Sequence, residues 1–251
     1  MKFIKNMLLG AAAALTLTVA QASPINVGGV IWNPDSGADF SSTASMMRQY
    51  VDANGFLSGF GLISNINSTG ANTYCPGCEL TFVFDGFAPV TSGATPTTPG
   101  QVIGYSGGSV RLYVNFAPST IDPFNPLTLN ASTTGLGSLW LGLTGHNYLG
   151  TSLNGTVTGS IGGAITGLTG IGQLDATSGM AMGNFDTNGG TDGADLNFVN
   201  GFSQLDVRGN PNAASGNGNF SGNTIPEPAS LALLGLGLLG AGLARRRTSA
   251  K

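Results

Sequence analysis

Apolar and polar residues alternate with a period of two along much of the chain. In ELTFVFDGF (79–87), Leu80, Phe82 and Phe84 fall on one side; Thr81, Val83 and Asp85 fall on the other. In VRLYVNF (110–116), Leu112, Val114 and Phe116 oppose Arg111, Tyr113 and Asn115. In SLNGTVTGS (152–160), Leu153 and Val157 oppose Asn154, Thr156 and Thr158. Such alternation predicts strands with one buried face. INVGGVIW (25–32), FLSGFGLIS (56–64), SLWLGLT (138–144), MAMGNF (180–185) and LNFVNGF (196–202) are further strand candidates. The stretch Ser42 to Val51 reads two ways. It is one arm of a hairpin turning at Asn54-Gly55, or a short helix with Met46, Met47, Tyr50 and Val51 as its apolar side. Eight or more short strands with frequent turns predict an all-β passenger, a β-sandwich with jelly-roll connections as one arrangement. A β-solenoid is the alternative, because TGSIGGAITGLTGIG (158–172) has a loose Gly/Thr repetition, although no fixed period is sustained over three turns.

Both ends of the chain break this pattern. At the N-terminus Lys2 and Lys5 precede an apolar run from Met7 to Ala20, followed by the small-x-small site Ala20-Gln21-Ala22. This is the layout of a secretory signal peptide, with cleavage expected between Ala22 and Ser23. At the C-terminus Ala229 to Ala244 is sixteen residues without a charge, followed by Arg245, Arg246 and Arg247. As a helix it spans roughly 24 Å at about 1.5 Å per residue, slightly short of a hydrocarbon core of about 30 Å. Ile225 in front and the arginine stems behind close part of the gap. A single C-terminal transmembrane helix is therefore expected at 229–244. The arginines remain cytoplasmic by the positive-inside rule. Four glycines in the span (Gly235, Gly237, Gly240, Gly242) would cost an aqueous helix about 1 kcal/mol each, yet are common in membrane helices. The chain then divides into a signal peptide (1–22), an exported passenger (23–208), a flexible spacer GNPNAASGNGNFSGNT (209–224) and the tail (225–251).

Pro226-Glu227-Pro228, the apolar span and the arginine cluster together resemble the PEP-CTERM sorting signal of Gram-negative bacteria. The resemblance covers about 25 of the 251 residues, and its three parts stand in the right order and place. It implies an exosortase, a membrane-embedded cysteine protease, as the processing partner. It also implies cleavage near the motif during export or anchoring, often in bacteria that make extracellular polysaccharide. The expected location is the inner membrane with a periplasmic passenger, then the cell surface or extracellular matrix after processing. No Leu-Pro-x-Thr-Gly precedes the span, as a Gram-positive sortase signal requires, and a GPI signal would end apolar rather than basic.

Setting the two ends aside changes the charge. Only Arg48, Arg111 and Arg208 remain in residues 23–224, against eleven acids, for a net charge of −8. Three scattered arginines exclude nucleic-acid binding by phosphate neutralisation. Forty-one glycines in 251 residues is more than twice the usual share of about 7%. Because Gly is unfavourable in helices and useful in turns, this composition also favours many short strands.

Few residues suggest chemistry. Cys75 and Cys78, in CPGC, are the only cysteines, and an exported chain meets oxidising conditions. A structural disulfide is expected rather than a redox motif, because a strand follows where a thioredoxin-like site needs a helix N-terminus. His146 is the only histidine; no Gly-x-Ser-x-Gly elbow accompanies it, and an ordinary surface role is expected. In DTNGGTDGADLNF, Asp186, Asn188, Asp192 and Asp195 supply hard oxygen ligands of the kind Ca²⁺ takes. Gly190, however, stands at an EF-hand ligand position and no Glu closes the loop, so an Asx/Gly turn is the reading preferred. No cofactor and no catalytic residue is expected. The function these observations point to is a non-enzymatic surface or extracellular-matrix protein, associated with the envelope or exopolysaccharide. The alternative is a carbohydrate-binding or adhesive module, with a sugar platform built from Trp32, Trp140, Tyr105 or Tyr113. Burial of both tryptophans would favour the first.

Overall fold

The computed structural model describes residues 23–34, 39–91, 98–122, 125–161, 164–203 and 213–225. These form β1 (Ile25–Val27), β2 (Val30–Trp32), β3 (Phe40–Val51), β4 (Leu57–Ile66), β5 (Thr69–Gly70), β6 (Glu79–Pro89), β7 (Val102–Asn115), β8 (Ser138–Gly145), β9 (Leu153–Ile161), β10 (Ala164–Ser178), β11 (Leu196–Ser203) and β12 (Ala213–Gly222). β1 and β2 make a hairpin; the others join one antiparallel sheet. The signal peptide, the Ala22–Ser23 site, Pro226-Glu227-Pro228, the span 229–244 and Arg245–Arg247 lie outside the described residues, apart from Ser23 itself. Among the described residues no helix is long and apolar enough to cross a membrane.

The sheet closes on itself into an eight-stave barrel, not a sandwich. β3 pairs with β4, β4 with β6 and β6 with β7. The next stave is shared by two strands in tandem: β8 lies against Ser109–Val114 of β7, and β9 against Val102–Tyr105 of the same strand. Both pair on their other side with β10, which pairs with β11. β11 pairs with β12, and β12 returns to β3, with Gly222 opposite Phe40 and Ala213 opposite Tyr50. A sandwich would need a break in this ring, and a solenoid would need parallel pairs; neither occurs among the described strands. Register shifts between β3 and β4, β12 and β3, β7 and β8, and β10 and β8 mark bulges, which supply the curvature that closure needs.

Two segmental expectations are thereby corrected. Residues 213–222 of the expected spacer (209–224) are the barrel's last stave, so the passenger runs to Ile225 rather than residue 208. MAMGNF is a turn followed by one helical turn, Met182–Phe185, rather than a strand. Ser42–Val51 is strand, in a hairpin with β4. Asp52 holds the turn by accepting the N–H groups of Asn54 and Phe56.

An eight-strand barrel is just wide enough for side chains to fill it. Here the filling pairs large rings with glycines. Gly59 and Gly61 of β4 point inward beneath the rings of Phe84 and Phe82, and a methyl group at either position would collide with the ring. Gly108 lies against Phe87, and Gly218 against Met47. Part of the excess glycine therefore serves close packing in strands as well as turns. Gly61→Ala is expected to destabilise the barrel by about 1–3 kcal/mol through overpacking. Phe82→Leu, harmful alone, should recover part of that loss in the double variant, and a urea-denaturation cycle measures the coupling.

One pole of the barrel is plugged by the β1–β2 hairpin, which turns at Gly28-Gly29, both at positive φ. Trp32 stacks on Phe185 at 5.5 Å and meets Trp140 edge-on at 5.8 Å, while Phe40 meets Phe185 edge-on at 4.8 Å. Trp140 Nε1–H donates to the Val27 carbonyl at 2.9 Å, tying hairpin to barrel. Outside the wall, the segment between β7 and β8 straps over β3 and β6. Arg48 Nη1 donates to the Leu129 carbonyl at 3.0 Å, and the Gly135 N–H donates to Thr81 Oγ1 at 3.2 Å. This strap buries Arg48, whose guanidinium also lies 5.3 Å from the Tyr50 ring centre.

Candidate functional site

Cys75 and Cys78 form a disulfide beside the plugged pole, both buried, between the one-turn helix Ala71–Tyr74 and β6. Tyr74 next to it donates its hydroxyl to the Ile63 carbonyl at 2.6 Å. The bridge faces the core rather than a cleft. Replacing both cysteines with Ser is expected to lower stability by about 2 kcal/mol or less. The oxidised protein should not reduce insulin, and detectable reductase activity would overturn the structural assignment.

Burial holds the Tyr74 hydroxyl above the ordinary phenol value of 10.0, and the Glu79 carboxylate raises it further; burial also raises Tyr105. Each phenol stays neutral in the fold where the unfolded chain would ionise. Their contribution is therefore complete below about pH 10 and is lost as pH rises beyond it. Thermal melts on the two sides of about pH 10 should show the drop, and Tyr74→Phe should narrow it.

The Asp186–Asp195 loop is organised around Asp195, which is buried. The Asp195 carboxylate accepts the N–H groups of Thr187 at 2.8 Å, Asn188 at 2.6 Å and Ala176 at 2.8 Å. Asn188 donates its side-chain amide to Asp186 at 3.2 Å, and Asp192 is exposed at a positive φ. The four oxygen-bearing residues do not converge on one point. Among the described residues, no three His, Cys, Asp or Glu side chains gather as metal ligands. The loop is an anchored turn, and its acid carries backbone donors.

His146 departs from the ordinary surface role expected of it. It opens the short loop that separates β8 from β9, and its Nδ1 lies 2.8 Å and 3.0 Å from the two oxygens of Asp175 on β10. The imidazole is 16% exposed, and its Nε2 is buried without a protein partner. Sequence reading missed this pair because the partners are 29 residues apart. Beyond it the loop turns at Leu149-Gly150, both at positive φ, and presents Leu149 almost fully to solvent.

The sugar platform expected from aromatics is not on the surface. Trp32, Trp140 and Tyr105 are buried in the core and Tyr113 is half-buried. Inside the pole opposite the plug, Gln49, Tyr105, Asn200 and Phe202 border a crevice of about 20 Å³, enough for about one water and far below the roughly 300 Å³ of a small-molecule site. Outside, Thr43, Val199, Gly201, Asn217 and Asn219 line an open groove of about 420 Å³ across β11, β12 and β3. β11 and β12 carry no charged residue.

The last described residues are fastened to the plugged pole. The Thr224 N–H donates to Asp39 Oδ2 at 3.1 Å, and Thr224 is buried. The Ile225 N–H donates to the Asn184 carbonyl at 2.8 Å, and Asn184 Nδ2 donates back to the Ile225 carbonyl at 3.2 Å. Pro226 follows at once in the sequence.

Residues 224–247 match the family model of the PEP-CTERM protein-sorting motif, while the barrel matches no family model. The match includes Thr224 and Ile225, which the barrel holds. No curated protein and no solved structure matches the chain. The motif marks an exported protein that transits a membrane under the direction of a C-terminal sorting signal.

Proposed function

We propose that the barrel is a non-enzymatic surface or extracellular-matrix component, associated with the envelope or exopolysaccharide and delivered there by its tail. An exosortase reads Pro226-Glu227-Pro228, the span 229–244 sits in the inner membrane, and Arg245–Arg247 stay cytoplasmic. The observation that supports this reading most is the filling of the barrel. Both tryptophans and most of the phenylalanines are consumed by the core, and the inner crevice holds about one water. Two of the groups with chemical potential are engaged in holding the structure: Cys75 with Cys78, and Asp195 with three backbone N–H groups.

The test is fractionation of a chain carrying an epitope after Ser23. The intact chain should appear in the membrane and then in the matrix fraction, co-sedimenting with extracted exopolysaccharide. A chain lacking residues 226–251 should be lost to the medium. Identical distribution of the two chains would remove the sorting reading, and matrix-free recovery of the intact chain would remove the matrix role.

A second reading, direct sugar binding, is favoured only by the outer groove. Its amides and hydroxyls, uncharged surroundings and exposed Val199 suit a neutral sugar. Retardation in a gel containing dextran, abolished by Asn217→Ala with Asn219→Ala, is the result it requires.

A further inference from the structure

The barrel limits where the sorting tail can be cut. β12 is paired along both edges, to β11 and to β3, and its Phe220 is buried between Phe82 and Phe198. The residues after it have no slack: Thr224 is held by Asp39, and Ile225 by two hydrogen bonds to Asn184. A protease reads its substrate as an extended strand with free backbone groups. A bond inside a paired or pinned segment becomes available only when that segment opens, in proportion to the open population.

We propose that the barrel sets the earliest processing position, so that the scissile bond lies C-terminal to Ile225 and the mature chain keeps the whole closing stave. The inference rests on the reading that the tail is processed. The reaction is hydrolysis: one amide C–N bond breaks, the carbonyl carbon takes the hydroxyl of water, and the released nitrogen takes its proton. The folded domain has no spacer of its own before the motif. The apolar span starts three residues after Pro226-Glu227-Pro228 begins.

Two measurements test this. The first is the C-terminal mass of the passenger isolated from a host that contains the sorting enzyme. It should end at Ile225 or later, and an end at Thr224 or earlier would overturn the proposal. The second needs no sorting enzyme. Detergent-solubilised full chain is titrated with proteinase K, and its earliest C-terminal cut is expected beyond Ile225. In Asp39→Ala with Asn184→Ala, that cut should move to 223–225 while the melting transition persists. Early cuts within 213–225 of the wild type would overturn the proposal. If the host leaves the chain intact, the processing reading falls, and the proteinase K arm still decides whether the barrel shields residues through Ile225.

Discussion

A chain ending at Asn212 is expected to lose its cooperative unfolding transition and to aggregate, whereas one ending at Ile225 should melt like the full passenger. Removing β12 leaves β3 and β11 as open edges, because each of them pairs with it along most of its length. It also removes Phe220, a ring stacked on Phe198 at 4.6 Å and set edge-on to Phe82 at 5.2 Å. Loss of a buried Phe alone costs about 3–5 kcal/mol, a large part of the roughly 5–15 kcal/mol that holds a domain folded. Urea titration followed by tryptophan fluorescence reads the result, since Trp32 and Trp140 sit buried at the plugged pole. A sharp transition in the shorter chain would show that the barrel does not need its last stave.

Trp140→Ala should be the most damaging single substitution at the plugged pole, by about 3–5 kcal/mol. The indole touches Trp32, Phe40 and Phe185 and supplies the hydrogen bond that fastens the β1–β2 hairpin. Its loss leaves a cavity in the aromatic cluster and an unpaired Val27 carbonyl. A fall of the melting temperature on the order of 10 °C follows for a domain of this size. Ile171→Ala, on the outer wall and 63% exposed, serves as the control and should stay within about 0.5 kcal/mol. Equal effects at the two positions would contradict the packing described.

The strands legible in the sequence are those whose inward positions are apolar. Leu80, Phe82 and Phe84 alternate with Thr81, Val83 and Asp85, and Leu112 and Val114 with Arg111, Tyr113 and Asn115, and these five are buried as that pattern requires; Phe116, expected on the same face, lies just past the end of β7 and is 62% exposed. β12 is the opposite case. Its inward positions include Gly216, Gly218 and Gly222, and the space above them is filled by Phe202, Met47 and Leu196 from neighbouring strands. With Phe220 as the one large apolar side chain on that face, the strand has no hydrophobic period, so the stretch reads as a linker. Its signal resides in side chains that belong to other strands. Closure was invisible for a related reason: the pairing of β12 with β3 joins residues more than 160 positions apart, and no local pattern records it. The sorting motif at 224–247, by contrast, is legible in the sequence, because its information lies in composition and order rather than in packing.

The passenger is a closed barrel whose final stave leads straight into the sorting motif. Amide hydrogen exchange of the exported passenger, resolved to peptides by mass spectrometry, tests it directly. Peptides covering 214–222 should exchange as slowly as those covering β3, because both belong to one cooperative ring. Exchange of 214–222 at the rate of an unstructured linker, with β3 and β11 still protected, would contradict it.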